Sequence, residues 1–271
     1  MSGVSDIDWD LIWRKSRMKR SCKNKGRKDW DKKAPSFARR NMRSSYIKRL
    51  LDFIAPEPED TVLDVGAGPG TLAIPLASRA RLVTAIDYSA GMLEELKAEA
   101  DRQSLTNIVP VHASWEDDWQ KIGVAQHHDI AVASRSLSVD DLQGALAKLD
   151  KWAFKRVVVT DRVGAGPFDP EIFAAIGRDF DPGPDYIITV NMLYSMGINA
   201  KVDYIPAEYS DSYPTREEAI DSCLWMLEDM NPGERERFEA YMDERLTRQD
   251  DGTWRLTRRH KPKWAVISWE K

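Results

Sequence analysis

The residues with the clearest chemical content lie between Val62 and Asp87. The stretch Val62-Leu-Asp-Val-Gly-Ala-Gly-Pro-Gly-Thr71 runs from an apolar segment into glycines at alternate positions, then into a helical pattern. Glycine is needed where a backbone must turn sharply or come within contact distance of a ligand. The free N–H groups of the helix that follows favour polar or anionic ligand groups. Many strand-to-helix turns use glycine, so the loop alone is a weak signal. The next apolar stretch ends at Asp87, where a carboxylate can take both ribose hydroxyls of a nucleoside-containing ligand. Gly66, Ala67, Gly68, Gly70 and Asp87 therefore form a candidate nucleoside site. Asp64 either caps the loop by accepting backbone N–H bonds or lies beside the ligand.

The spacing excludes two nucleotide chemistries. A dinucleotide fingerprint wants G-x-G-x-x-G, whereas here the pattern is G-x-G-x-G and position 71 is Thr. No Gly-Lys-Ser or Gly-Lys-Thr follows, so this is not a phosphate-binding P-loop.

These residues need a scaffold, and the pattern around them supplies one. From residue 61, apolar runs alternate with helical patterns: 61–65, 81–87, 107–113, 128–134 and 156–161 read as strands, and 71–80, 89–103 and 139–153 as helices. Such alternation predicts a parallel sheet with helices on both faces. Further helices are expected at 169–180, 185–197, 214–230 and 231–246, although the Ile-Ile-Thr-Val run in 185–197 also fits a strand. Residues 199–206 read as a strand, and the C-terminal segment from Gly252 as two strands around a basic turn at 258–262. Residues 1–50 are expected to be helical after about residue 35.

The chain has 271 residues, room for a large core. Its two cysteines, Cys22 and Cys223, form no C-x-x-C pattern, which excludes a disulfide scaffold and a cysteine-ligated zinc site; no metal is expected. No apolar run is long enough for a membrane span and the N-terminus lacks a signal-peptide core, so a cytoplasmic protein is expected. Residues 1–50 carry 16 Lys and Arg against 5 Asp, a net of +11, and residues 51–271 carry −15. A basic arm of this kind either binds a polyanion or lies solvated across its own acidic body.

The motif resembles that of the class I S-adenosylmethionine (SAM)-dependent methyltransferases, in which an acidic residue precedes G-x-G-x-G, as in Asp64-Val-Gly66-Ala-Gly68-Pro-Gly70. Asp87-Tyr-Ser-Ala-Gly-Met-Leu93 reads as D-x-S-x-x-M-L and resembles the small-molecule branch that includes the ubiquinone/menaquinone C-methyltransferases. The resemblance covers about residues 46–162. It implies an α/β Rossmann-like fold: a seven-stranded, mostly parallel sheet with one antiparallel strand, helices on both faces, an N-terminal helical lid and a late helical insertion. The implied division is a basic lid over residues 1–50 and a methyltransferase domain over 51–271, with the insertion at about 207–250. The last strand, ending Trp-Ala-Val-Ile-Ser-Trp-Glu270, suits the antiparallel position. Residues 199–206 and 252–257 both compete for the strand before it.

The resemblance also implies roles. Asp64 anchors the glycine loop near the amino group of SAM, Tyr88 lies against adenine, and Met92 belongs to the same pattern. Ala113-Ser-Trp-Glu-Asp117 departs from the family's G-D-A-E: the adenine-binding acidic position falls on Ser114, so either its hydroxyl serves or Glu116 or Asp117 takes over. Trp115 sits at the adenine edge, or in the core. Ser134 ends the fourth strand, facing the methionine part. Arg135 is a candidate for contact with the acceptor or the SAM carboxylate, and Asp161 and Arg162 hold similar positions on the fifth strand; Arg135 and Asp161 are the weak catalytic candidates.

His127 and His128 precede the fourth strand at the wrong edge and read as solvated loop histidines. His112 falls on the adenine side, and His260 in an exposed turn. Trp30, Phe37, Tyr46 and Ile47 are apolar or aromatic residues amid Lys and Arg, so residues 28–50 are expected to fold over SAM, with Phe37 and Tyr46 lining the acceptor pocket. The expected activity is methyl transfer from SAM to a small molecule. The alternatives are an RNA or protein methyltransferase guided by the basic arm, and a non-catalytic SAM-binding module.

Overall fold

Valine, isoleucine and leucine dominate the strands that lie at the centre of the molecule, as expected where both sheet faces are covered. β1 (Thr61–Val65) is buried at every position. It is followed by β2 (Leu82–Asp87), β3 (Ile108–His112), β4 (His128–Ser134), β5 (Ala153–Arg162) and β6 (Lys201–Pro206). Three short strands come next, β7 (Ser212–Tyr213), β8 (Leu246–Arg248) and β9 (Trp254–Leu256), and then the last, β10 (Lys263–Glu270). This computed structural model describes residues 7–21, 30–31, 45–207, 210–227 and 229–271.

The main sheet has the order β3-β2-β1-β4-β5-β10-β6. β1 pairs in parallel with β2 and with β4, so Asp64 stands between Ala85 and Val132. β10 runs antiparallel to both β5 and β6, which brings Trp264 opposite Arg162 and Ile205. The strand expected over 199–206 thus forms the edge of the sheet, beside β10. The two strands expected around the basic turn at 258–262 do not pair with each other. β9 instead joins β7 and β8 in a separate three-stranded sheet. Strands of two or three residues leave no alternation long enough to read in a sequence.

Helices cover both faces. α1 (Trp9–Lys19), α6 (Leu142–Trp152) and α8 (Tyr186–Ser195) pack on one side; α2 (Ser45–Ile54), α3 (Ala73–Ala77) and α4 (Ala90–Arg102) pack on the other. α5 (Trp119–Ile122) is one turn long. α2 buries Tyr46, Ile47, Leu50, Leu51 and Ile54, an i, i+4, i+8 stripe against the sheet. α6 does the same with Leu142, Ala145, Leu146 and Leu149. Its N-cap Asp141 accepts from Gly144 N, and Ser89 caps α4 by accepting from Met92 N. The helix expected over 71–80 shrinks to five residues around Pro75, which has no N–H to give.

α7 (Pro170–Ile176), α9 (Arg216–Leu224) and α10 (Pro232–Arg245) share a third core containing Phe173, Cys223, Phe238 and Met242. Asn231 and Glu234 form a reciprocal capping box at the start of α10. The segment after β6 is therefore mixed: two helices and a three-stranded sheet around one small core. Among the described residues no helix is long and apolar enough to cross a membrane.

Candidate active site

A cleft of about 510 Å3 runs along the carboxyl ends of β1, β2, β4 and β5, where the strand order reverses on either side of β1. Open α/β sheets bind ligands at such a point, and the volume is ordinary for a small-molecule site.

The glycine loop forms its floor. Gly66 N and Ala67 N both donate to Ile86 O, at 2.8 and 2.9 Å, so the loop leaves β1 bonded to the end of β2. Gly66, Gly68 and Gly70 all have positive φ, and a Cβ on Gly66 would lie 2.3 Å from Ser136 Cβ. At Gly70 the crowding comes from Ile74 and Leu96, which lets α3 and α4 approach the loop. Asp87 ties loop to strand: Oδ2 accepts from Gly68 N at 2.8 Å and Oδ1 from Ser89 N at 2.9 Å. A carboxylate offers about four lone-pair sites, so each oxygen keeps capacity for a further donor. Burial raises its pKa above the ordinary range, against the lowering effect of those N–H bonds.

Asp64 makes none of the loop-capping bonds weighed from the sequence. It is buried and lines the cleft, and its Oδ2 has no hydrogen-bond partner among the described residues. Burial first, and the charge of Asp87 second, push its carboxyl up to about 7. Thr71 Oγ1 is a second buried, unpartnered polar atom on this wall. A carboxylate held this way suits a cationic ligand group, which would supply the missing counter-charge.

Tyr88, Met92, Ser114, Trp115 and Glu116 line the β2–β3 end of the cleft. Ser114 donates from both N and Oγ to Asp117 Oδ2, at 2.7 and 3.0 Å, so the Asp117 carboxylate is used in holding its own turn. Trp119 Nε1 donates to Ser114 O at 2.8 Å and Trp115 Nε1 to Ser136 O at 3.2 Å, which fixes this turn against β4.

Ser134, Arg135, Thr160, Asp161, Arg162 and Trp264 line the opposite end. Tyr46 lies behind this wall. Its hydroxyl joins Ser134 Oγ at 2.9 Å and Thr160 Oγ1 at 2.8 Å, linking the tips of β4 and β5, while its neighbour Ile47 reaches the cleft. The Asp161 carboxyl is raised by burial; Oδ2 accepts from Thr189 Oγ1 at 2.7 Å and Oδ1 from Arg162 N at 2.7 Å. Phe37 lies outside the described residues.

α1 forms the roof; it falls within the lid implied over residues 1–50, but a helix was expected only after about residue 35 and the cover only from residues 28–50. Trp13 is buried and its Nε1 donates to Val139 O at 2.9 Å; Arg17 also donates to Val139 O and pairs with Asp140. The available signals were the cap residue Asp8, whose side chain accepts from Leu11 N, and Trp9 and Trp13 one turn apart. Further on, Trp30 lines the cleft and Asp31 Oδ1 accepts from Gly91 N at the start of α4.

Two histidine expectations change. His128 is not in a solvated loop: it opens β4, is buried, contacts Thr84 Oγ1 at 2.8 Å, and is drawn down to about 4 by burial. It remains at the edge of the sheet away from the cleft. His260 is half-buried and bonded to Gly166 O at 2.9 Å. His127 is exposed with positive φ, and the ring of exposed His112 meets Tyr88 O.

Residues 62–153 match a family model described as a methyltransferase domain. An uncharacterized protein of Haemophilus influenzae is 35% identical over 246 residues, covering 89% of this chain and 88% of that protein. The 23S rRNA (uracil(1939)-C(5))-methyltransferase RlmD of Pectobacterium carotovorum is 29% identical over 113 residues, or 41% of this chain and 25% of that protein. A SAM-dependent methyltransferase from Aquifex aeolicus shares the fold, with a TM-score of 0.50 at 17% identity over 68% of this chain and 94% of that one.

Proposed function

This chain belongs to the class I SAM-dependent methyltransferases, and from that premise we propose that its methyl acceptor is a small molecule enclosed beneath α1. The observation that carries the reading is the roof. Trp13, Arg17 and Arg20 of the N-terminal segment and Phe168 and Pro184 after β5 wall the same cleft as the glycine loop. About 510 Å3 must hold both cofactor and acceptor.

The residues fit SAM. Asp87 would take the ribose hydroxyls with the lone pairs left by Gly68 and Ser89. The unpartnered Asp64 Oδ2 would face the ammonium group. Tyr88, Met92 and Trp115 would pack the adenine, with Ser114 and Glu116 at its edge and Ser134 towards the methionine part. When bound, SAM supplies a methyl group already activated on a sulfonium. The chain then has to align the acceptor and exclude water, which is the work of α1 and the walls after β4 and β5. Where the acceptor atom carries a proton, Asp161 is the carboxylate on the β5 side of the cleft, away from Asp64 and Asp87, that would receive it.

The test is to incubate the protein with methyl-labelled SAM and separated small-molecule, RNA and protein fractions of the source cells. Label in the small-molecule fraction is expected; label confined to RNA or protein overturns the reading. An RNA acceptor is favoured by the partial match to RlmD. A cytosine- or uracil-C5 attack would need an exposed nucleophilic cysteine, and among the described residues the one cysteine, Cys223, is fully buried in the third core; Cys22 lies outside the described residues.

A further inference from the structure

Four arginines line the cleft, Arg17, Arg20, Arg135 and Arg162. Three already have partners. Arg17 is held by Val139 O and Asp140, Arg20 by Ser138 Oγ at 3.3 Å, and Arg162 by Pro184 O at 3.0 Å. The Arg135 guanidinium has no hydrogen-bond or ion-pair partner among the described residues.

The chain nevertheless fixes Arg135 firmly. It follows the last residue of β4 in the left-handed region, with φ +57°, a conformation that costs a non-glycine residue energy and persists only where its surroundings impose it. Its N–H donates to Thr160 Oγ1 at 3.0 Å, on the tip of β5. Its guanidinium lies 4.6 Å from the centre of the Tyr46 ring and 5.8 Å from that of Trp264. Tyr46 is itself pinned to Ser134 and Thr160. Aromatic faces hold a guanidinium plane without consuming any of its N–H donors. The result is a pre-positioned fork on the cleft wall whose donors no described residue takes up, the geometry that takes a carboxylate or phosphate through paired hydrogen bonds.

Its location separates it from the cofactor end. Asp64, the glycine loop and Asp87 stand on β1 and β2, whereas Arg135 turns towards β5 and β10 through Thr160 and Trp264. We propose that the methyl acceptor is a small organic anion, a carboxylic acid or phosphate monoester, whose charged group docks on Arg135 while a different atom receives the methyl group. This rests on the small-molecule reading above and adds the chemical class.

The experiment uses the full chain and methyl-labelled SAM. A low-molecular-mass extract of the source cells is first split on an anion exchanger at neutral pH into retained and unretained fractions, with RNA and protein fractions assayed beside them. Label transfer to the retained fraction alone is expected, and phosphatase treatment of that fraction distinguishes phosphate from carboxylate. Arg135→Gln should raise the amount of retained fraction needed for half-maximal rate at least roughly tenfold, the loss of a charge-assisted bond. Arg135→Lys, which keeps the charge and loses the fork, should recover part of it. Affinity for S-adenosylhomocysteine, measured by calorimetry, should be unchanged in Arg135→Gln, which also shows that the variant folds. Transfer to the unretained fraction overturns the proposal. So does a fall in affinity for S-adenosylhomocysteine with affinity for 5′-methylthioadenosine intact, because that assigns Arg135 to the cofactor's carboxylate. Label only in RNA or protein removes the small-molecule reading itself.

Discussion

Asp64→Asn should stabilise the ligand-free protein and cripple cofactor binding, and both effects should depend on pH. The Asp64 carboxyl sits at about 7 in the folded chain against an ordinary 3.8, raised by burial and by Asp87. In the unfolded chain it ionises near its ordinary value. Below about pH 4 the group is protonated in both states and contributes no penalty. As pH rises towards 7 the unfolded state gains from ionisation and the folded state does not, so stability is lost across that window. A difference of roughly three units corresponds to about 4 kcal/mol above pH 7. The group is 1% exposed, so solvent does little to screen it. Asparagine does not titrate. Ligand-free Asp64→Asn should therefore melt close to wild type near pH 4 and well above it at pH 8, by roughly 8 °C or more for a chain of this size. With SAM the order reverses. Wild-type affinity should fall as pH drops through 7 and the carboxylate is protonated, while the variant binds at least roughly tenfold more weakly at pH 8, with little pH dependence. Scanning calorimetry from pH 4 to 8 and titration calorimetry from pH 5 to 8 measure the two effects. A variant less stable than wild type at pH 8, or a stability difference that does not vary with pH, would refute the assignment of Asp64 as a buried, unpaired carboxylate awaiting a cation.

Asp87→Ala should lower SAM affinity at least roughly tenfold, because it removes the ribose acceptor and frees Gly68 N and Ser89 N; an unchanged dissociation constant contradicts the role. Gly66→Ala should abolish SAM binding and lower the melting temperature, since its Cβ would strike Ser136 at 2.3 Å in a positive-φ position; full activity in this variant would show that the loop is not held as described. Trp13→Ala should cost about 3–5 kcal/mol in denaturant unfolding and, if the acceptor lies beneath α1 as proposed, raise the acceptor KM more than the SAM dissociation constant. Equal effects on both ligands would place α1 over the cofactor instead.

The central sheet was legible because the middles of β1, β2, β4 and β5 are buried and read as short, mostly apolar runs, each leading to the cleft edge: Val65 before the loop, Asp87, Ser134, Asp161. α1 was hidden for the opposite reason. Trp13 is its one buried residue, and the rest of WDLIWRKSRMK is mostly charged or exposed, so no apolar stripe marks it. What holds it is distant in the chain: Trp13 is buried in the core, and Trp13 and Arg17 both donate to Val139 O, 126 residues away in the case of Trp13. His128 misled similarly: its contact with Thr84 runs across the sheet, and nothing local to the His-His pair distinguishes the buried ring from the exposed one. The state of Asp64 was beyond the sequence too, because whether a carboxylate caps its loop depends on where the loop N–H groups point. Here Gly66 and Ala67 give theirs to Ile86 O and Gly68 gives its own to Asp87.

The charge of the chain has a geometric counterpart along the cleft. The cofactor end concentrates Asp64 and Asp87, both raised by burial. The far end carries Arg17, Arg20, Arg135 and Arg162. Two of those arginines belong to the basic first fifty residues, and the bonds of Arg17 and Arg20 go to the 138–140 stretch of the same chain. In its described residues the basic arm thus spends charge on its own body, as a helix lying across an acidic domain would. A cationic donor and an anionic acceptor would each meet the opposite sign, and each would meet its own sign at the wrong end. Opposite signs at the two ends of one cleft would favour one order of the two substrates over the reverse.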